Sequence, residues 1–391
     1  MERAVIVDAL RTPIGRYAGA LKEIRPDDLA ALVVSQAVQR NQLDPATIED
    51  VYFGDANQAG EDNRNVARMA LLLAGLPVEI PAATMNRLCG SGMQAVVAAT
   101  REIETGNGDC FLAGGVESMT RAPYILEKPP REFARGAQTL HDSTLGWRMV
   151  NPNMPDQWTI SLGQSAEKLA GIYNVTREAQ DAFALRSHQN AQAAWESGFY
   201  DGWVVPVPGT DLERDENIRP DTSLEKLAKL NPAFVADGTV TAGNSSPLND
   251  GAGAALLASE DGAKAAGREP IARIVARGAA AVDPDVFGIA PVKAANIALD
   301  RAGITWEDIS VVELNEAFAS QCLADIGEWK GLDPEKVNPN GGAIALGHPL
   351  GASGVRILGG LAHELRRRGG GYGVAALCIG VGQGLAVVLE A

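Results

Sequence analysis

The sequence predicts an α/β protein of two similar halves, each a sheet of buried strands covered on both faces, with a large insertion between them. Three observations carry that expectation: a repeat of very long period, strands that are apolar almost throughout, and a central stretch of different character. The 391 residues are length enough for roughly two to three domains, and a 46% hydrophobic share is ample for large cores.

The first copy of the repeat opens with AVIVDAL (residues 4–10), an apolar strand. Residues 27–58 then read as helix, break, short acidic turn and strand. A helix that starts in small residues covers 89–103, and the Gly-bounded strand DCFLAGG covers 109–115. The second copy keeps that order. A strand at 272–279 precedes residues 290–318, where a helix, a stop at Gly303, the turn Thr305-Trp306-Glu307-Asp308 and a strand lead to Asn315. A helix at 350–365 and a strand at 373–382 complete it. Superposing Ser91-Gly92 on Ser353-Gly354 sets Cys89 opposite Gly351 and Asn86 opposite His348. The apolar tail 374–389 is broken by Gly380, Gly382, Gln383 and Gly384, so it reads as two buried strands joined by a turn, not a membrane span.

Residues 119–246 differ. They hold Trp147, Trp158, Trp195 and Trp203, and one clear helix with Thr176 as its N-cap and Gly198 as its stop. An irregular insertion beside two core halves suits a lid or a substrate-binding element. The expected organisation is therefore an N-terminal half of residues 1–118 plus about 247–268, an inserted loop domain of 119–246, and a C-terminal half of 269–391.

Thirty-four Lys and Arg against 49 Asp and Glu leave a formal charge of −15. Such a chain lacks the electrostatic footprint of a nucleic-acid binder and is repelled by anionic membrane surfaces. An anionic cofactor would have to be met by a local basic patch. The four cysteines, Cys89, Cys110, Cys322 and Cys378, form no C-x-x-C pair, which argues against zinc or a disulfide scaffold and suits a reducing cytosol. The N-terminus lacks the apolar run of a signal peptide and the C-terminal LEA is no peroxisomal address, so the expected location is cytoplasmic.

Two residues stand out for chemistry. Cys89 lies in NRLCGSGMQAV, where Gly90-Ser91-Gly92 turns into a helix. A thiol at a helix N-terminus is expected to titrate below its usual value of about 8.5. The plain alternative, a buried small hydrophobe, fits Cys110 and Cys322 well. His348, between Gly347 and Pro349 in NPNGGAIALGHPLGASG, suits a general base, with a helix-capping loop histidine as the alternative. His141, His188 and His363 receive no role. Cys378 ends a strand in ALCIGVGQG, a hairpin in which the Gly380 N–H can face an oxyanion. GVGQGL is not a dinucleotide fingerprint, because a strand follows it, and no G-x-S-x-G, H-E-x-x-H or Walker A pattern occurs.

Together NRLCGSGM, ELNEAFA, NPNGGAIALGHPLGASG and CIGVGQG, in that order, resemble the thiolases over essentially the whole chain, with RTPIGR (residues 11–16) and TAGNSSPLNDGA (residues 241–252) in support. The resemblance implies a five-layer αβαβα fold of two pseudo-duplicated halves with an inserted loop domain, in homodimers or homotetramers. It implies that Cys89 is the nucleophile, His348 its base, and Cys378 the second acid/base. Asn315 would hold a water that, with His348, forms one oxyanion hole; the N–H groups of Cys89 and Gly380 would form the other. No metal and no permanently bound cofactor is implied, and coenzyme A and acetyl-CoA enter as substrates. Ser246 matches a position along the pantetheine, and Arg219 one near the nucleotide.

There are departures. Ser161-Leu162-Gly163 stands where acetoacetyl-CoA thiolases carry H-M-G, Pro247 replaces a glycine, and Phe287 replaces a methionine. Residues 53–77, with LGWRMVNPNM and RDENIRPDT, look closest to the 3-oxoadipyl-CoA thiolase branch, with acetoacetyl-CoA thiolase as the alternative. A dicarboxylic acyl group needs a cation at its far end, and Arg148, between Trp147 and Met149, is the candidate among Arg121, Arg131, Arg135 and Arg148. Decarboxylating condensing enzymes would show a second histidine in place of Asn315 or Cys378, and a non-catalytic lipid carrier would have lost one of these residues.

Overall fold

Along β1 (Ala4–Arg11), Ala4 and Ile6 enter one buried cluster while Val5, Val7 and Leu10 enter another. Side chains two apart share a face of a strand, so an unbroken apolar strand must be covered on both sides. β9 (Gln383–Glu390) repeats the pattern, with Leu385, Val387 and Leu389 facing one cluster and Ala386 and Val388 another. The computed structural model describes residues 3–133 and 135–391. Residues 1 and 2 of the expected N-terminal half, and residue 134 of the expected insertion, lie outside the described residues.

The first half contains β1, β2 (Asp50–Gly54), β3 (Ala82–Met85), β4 (Cys110–Ser118) and β5 (Asn249–Ser259), in the order β3-β2-β4-β5-β1. The second contains β6 (Ala272–Ala281), β7 (Ile309–Leu314), β8 (Tyr372–Ile379) and β9, in the order β7-β8-β9-β6. Directions match as well as order. β2 runs parallel to β3 and β4, and β5 is antiparallel to β4 and β1. Likewise β7 is parallel to β8, and β9 is antiparallel to β8 and β6; a parallel bridge from Val312 to Val337 stands where β3 stands in the first half. The long-period repeat is thus one topology used twice. The halves join where β1 meets β6, Val5 opposite Arg273 and Ile6 opposite Ala272.

Two helices occupy the space between the half-sheets. α3 (Ser91–Glu104) and α8 (Leu350–Arg368) contribute Met93, Val96, Ile357, Leu358 and Leu361 to a cluster that also takes Ala113 of β4 and Ala375 of β8. α1 (Pro26–Arg40) and α2 (Val66–Leu73) cover the outer face of the first half-sheet, and α6 (Ala290–Ala302) and α7 (Ala319–Glu328) that of the second. The result is the five-layer αβαβα arrangement. The central helices cross where neither has a side chain: a Cβ on Gly92 would strike the carbonyl of Gly351, and one on Gly354 would strike the backbone of Met93. That crossing explains the small residues at both helix starts, and it brings the loops that precede α3 and α8 to one place.

Between β4 and β5 the chain leaves the sheet. It carries α4 (Leu162–Ile172), whose N-cap Ser161 and Gln164 form a reciprocal capping box, and α5 (Arg177–Glu196), capped by Thr176 accepting from the Ala179 N–H at 3.2 Å.

Candidate active site

Cys89 sits in the turn between β3 and α3, two residues before the helix begins. Leu88 before it has φ +46°, and Val381, in the turn after β8, has φ +65°. A bulky or β-branched residue in that region is strained, and these two positions adjoin Cys89 and Gly380. The N–H groups of Gly380 and of Cys89 itself are both directed at the Cys89 sulfur. Neither N–H is spent on a backbone acceptor.

The thiol is 7% exposed, and burial pushes its pKa up to about 11 against the opposing pull of those two N–H groups. This corrects the sequence expectation of a lowered pKa. The helix starts at Ser91, not at the cysteine, and desolvation of a buried thiolate outweighs the terminus. Cys378 is fully buried among Ala166, Val240, Phe287, Ala317 and Phe318, and burial together with nearby Cys89 holds its thiol well above the usual range. Both sulfurs are therefore neutral at pH 7, and Cys89 requires a base.

His348 is the residue that the sequence leads one to expect as that base, although it is not among the residues that line the cleft over Cys89. Its ring is 5% exposed, and burial, aided by the Arg356 cation, pushes its pKa down to about 3, so the imidazole is neutral. Nδ1 lies 2.6 Å from Ser353 Oγ, and that hydroxyl donates to the Pro349 carbonyl at 2.9 Å. The hydroxyl's one proton being used, it accepts from Nδ1–H, which leaves Nε2 as the lone-pair nitrogen. The His348 N–H donates to Asn249 Oδ1 at 2.8 Å, and Gly347 before it has φ +115° with the Asn249 side chain and Ile14 against it, a position open only to glycine. His348 is no helix cap: Pro349 holds that place and makes no side-chain cap. The Asn315 Nδ2 faces the ring between its two nitrogens, 3.4 Å from Nε2 and 3.5 Å from Nδ1.

A cleft of about 370 Å³ opens over Cys89. Gly380, Val381, Leu88, Leu162 and Leu350 line it, with Leu88 and Leu162 against Gly380, and the segment from Ser143 to Arg148 lines it too. Arg148 is half-buried there and has no ion-pair partner among the described residues. Asn57 ties the rim down through its Nδ2, which donates to the carbonyl and hydroxyl of Ser143 at 3.2 and 3.0 Å. Larger clefts, one beside Lys22 and Arg121 and one beside Lys128 and Arg135, contain no cysteine. Arg219 and Ser246 lie outside the Cys89 cleft. Arg219 is exposed, its N–H donating to His188 Nδ1 at 3.2 Å, and the Ser246 N–H donates to the Ala317 carbonyl at 3.0 Å, beside the loop of Asn315.

Four residues of this neighbourhood were not singled out by the sequence reading: Ser353, Asn249, Glu117 and Arg356. Glu117, buried, accepts N–H bonds from Ala56, Asn57 and Gly351 at 3.0, 3.2 and 2.9 Å, and so ties the rim to the start of α8. Burial pushes its carboxyl up to about 7. A lone charge inside the apolar strand CFLAGGVES was the signal that could have found it. Among the described residues no cluster of His, Cys, Asp or Glu could hold a metal ion, and no helix is long and apolar enough to cross a membrane.

Comparison with known proteins gives matches along the whole chain. The family described as thiolase, N-terminal domain, matches residues 4–261, and that described as thiolase, C-terminal domain, matches 268–391. A 3-oxoadipyl-CoA/3-oxo-5,6-dehydrosuberyl-CoA thiolase of Escherichia coli strain K12 is 51% identical over 100% of both chains. A beta-ketoadipyl-CoA thiolase of Pseudomonas aeruginosa is 50% identical over the same extent. The crystal structure of human mitochondrial 3-ketoacyl-CoA thiolase in complex with CoA superposes with a TM-score of 0.93 at 42% identity, covering 100% of this chain and 98% of that one.

Proposed function

Since the chain belongs to the thiolase family, CoA-dependent acyltransferases, we propose that it cleaves 3-oxoadipyl-CoA, or a similar dicarboxylic 3-ketoacyl-CoA, through an acyl group carried on Cys89. In the thiolysis direction His348 Nε2 takes the Cys89 proton and the sulfur attacks the 3-keto carbon. The C2–C3 bond breaks, its electron pair stays with the acetyl-CoA enolate, and Cys378 delivers a proton to C2. A CoA thiol then attacks the acyl-cysteine, releasing the shortened acyl-CoA and restoring the thiol. The N–H groups of Cys89 and Gly380 stabilise the oxyanion on the acyl carbon, and Asn315 with His348 that on the thioester oxygen. The convergence of the Cys89 and Gly380 N–H groups on the Cys89 sulfur supports the first of these assignments. Arg219 and Ser246 are proposed to contact the nucleotide and pantetheine parts of coenzyme A.

One observation carries the substrate proposal: Arg148 stands at the rim of the Cys89 cleft with no carboxylate paired to it among the described residues. A guanidinium partly withdrawn from water binds a carboxylate through paired hydrogen bonds. Arg148→Ala is expected to lower kcat/KM for 3-oxoadipyl-CoA about 10- to 100-fold, and to alter that for acetoacetyl-CoA, which has no distal charge, far less. Thiolysis rates on both substrates decide it; an equal loss on both removes the carboxylate-reading role.

The chain is further proposed to form homodimers or homotetramers and to act in the cytoplasm. β3 is a half-buried strand at the open edge of the first half-sheet, and α2, which packs against it, exposes Leu72 and Leu73 with Val78 following. A strand edge covered only at Ala82, whose carbonyl accepts from Asn65 Nδ2 at 3.0 Å, and flanked by exposed apolar side chains invites pairing with a second copy. Light scattering after size exclusion is expected to give a mass of at least two chains, and Thr84→Pro, which removes a donor from that edge, to shift it toward one. A wild-type monomer at micromolar concentration would refute the dimer.

A further inference from the structure

Arg356 lies on α8, 4% exposed, with no carboxylate at ion-pair distance among the described residues. Its Nε is buried and without a hydrogen-bond partner, and its Nη2 donates to Asn315 Oδ1 at 3.2 Å. The charged and titratable groups around it are Glu313 on β7, Glu316 after β7, Arg11 on β1, Tyr200 and His348. A buried cation whose one hydrogen bond goes to an amide is a costly arrangement, and what it accomplishes is orientation.

Asn315 has its backbone fixed: its N–H donates to the Ala376 carbonyl at 2.9 Å, and its own carbonyl faces the Cys322 sulfur at 3.9 Å. What remains open is which end of the amide points which way. A guanidinium has donors only, so it demands the oxygen and repels the NH₂ group. We propose that Arg356 is a positioning residue that locks the Asn315 amide with its oxygen toward the guanidinium and its NH₂ toward His348. The reverse orientation would set an acceptor against Nε2 and favour a proton there, disabling the base that the Ser353 contact leaves open. Arg356 also bears on His348 directly, as the charged group that holds its pKa down beyond the effect of burial. The proposal rests on the reading that Asn315 and His348 act together in the reaction.

The test is a pair of substitutions similar in size to each other, so that the volume lost from the core is alike in both. Lysine keeps a donor-only cation, whereas glutamine offers either end of an amide and permits the flip. Arg356→Gln is expected to lower kcat about 10- to 100-fold with KM for CoA within roughly threefold of wild type, and Arg356→Lys to stay within about fivefold in kcat. In an Asn315→Ala background, both changes are expected to alter the remaining acylation rate less than about twofold, because the group they act through is gone. Should Arg356→Gln fail to fold, Arg356→Lys in the two backgrounds decides alone. Equal losses for Lys and Gln, a 100-fold loss for Lys, or losses that multiply in the Asn315→Ala background overturn the positioning role. Full activity in Asn315→Ala by itself would instead refute the underlying reading of Asn315.

Discussion

Cys89→Ala is expected to abolish turnover, a loss of about 10⁴-fold or more, and to leave no acyl-enzyme. Cys89 is the sulfur that lines the cleft, with the N–H groups of Gly380 and of Cys89 itself directed at it; Cys378 lies buried near it, and Cys322, on α7, is buried in the second half's outer core. Alanine preserves the turn, since Leu88 and the glycines around it set the backbone, so the protein is expected to fold and to keep the cleft. Incubation with a 3-ketoacyl-CoA followed by intact-mass measurement reads the outcome. Wild type should gain the mass of the acyl group and the variant should not. An adduct of equal yield on the variant would place the nucleophile elsewhere.

His348 and Cys378 are expected to fail in different ways, each by about 10²- to 10⁴-fold in the overall reaction. With its thiol pushed to about 11, Cys89 cannot attack at pH 7 unless a base removes the proton, so His348→Asn slows acylation as well as the return step. The neutral imidazole, held with Nδ1 on Ser353, carries its lone pair at Nε2 throughout the physiological pH range because its pKa lies near 3. Cys378, whose pKa burial raises, stays protonated, as its proposed role as the acid at the α-carbon requires. Cys378→Ala should therefore still accept an acyl group from an activated acyl-CoA while losing condensation and release of acetyl-CoA. Single-turnover acylation measured beside acetyl-CoA condensation separates the two. Normal condensation by Cys378→Ala would reduce that residue to a packing role.

Most of the architecture could be read from the chain. Strand, helix and stop signals recur in the same order in both halves, and the glycines at 92 and 354 mark the helix crossing, because close backbone contact admits only glycine. The helix from Arg177 to Glu196 was visible through Thr176 and Gly198. What stayed hidden depends on contacts distant in sequence. Nothing near Arg356 in the chain announces that it will meet Asn315, and a serine in GASG carries no local sign that it will accept from an imidazole five residues back. The Cys89 pKa was misjudged for the same reason. A helix terminus is visible in the sequence, but the depth at which it is buried is set by segments distant in the chain, among them β1, β8 and α8.

The pairing of β1 with β5 also governs how the chain can come to be folded. Ala4 meets Ser259 and Arg11 meets Gly253, so the N-terminal strand has no partner on β5 until the whole insertion and β5 itself have left the ribosome. Its other neighbour, β6, is made later still. Contacts so remote along the chain close slowly, because the entropy of a large loop is lost before any pairing repays it. During synthesis the apolar strand 4–11 and the early strands beside it therefore wait exposed, and the nascent first half is the stage at which a holding chaperone has most to cover.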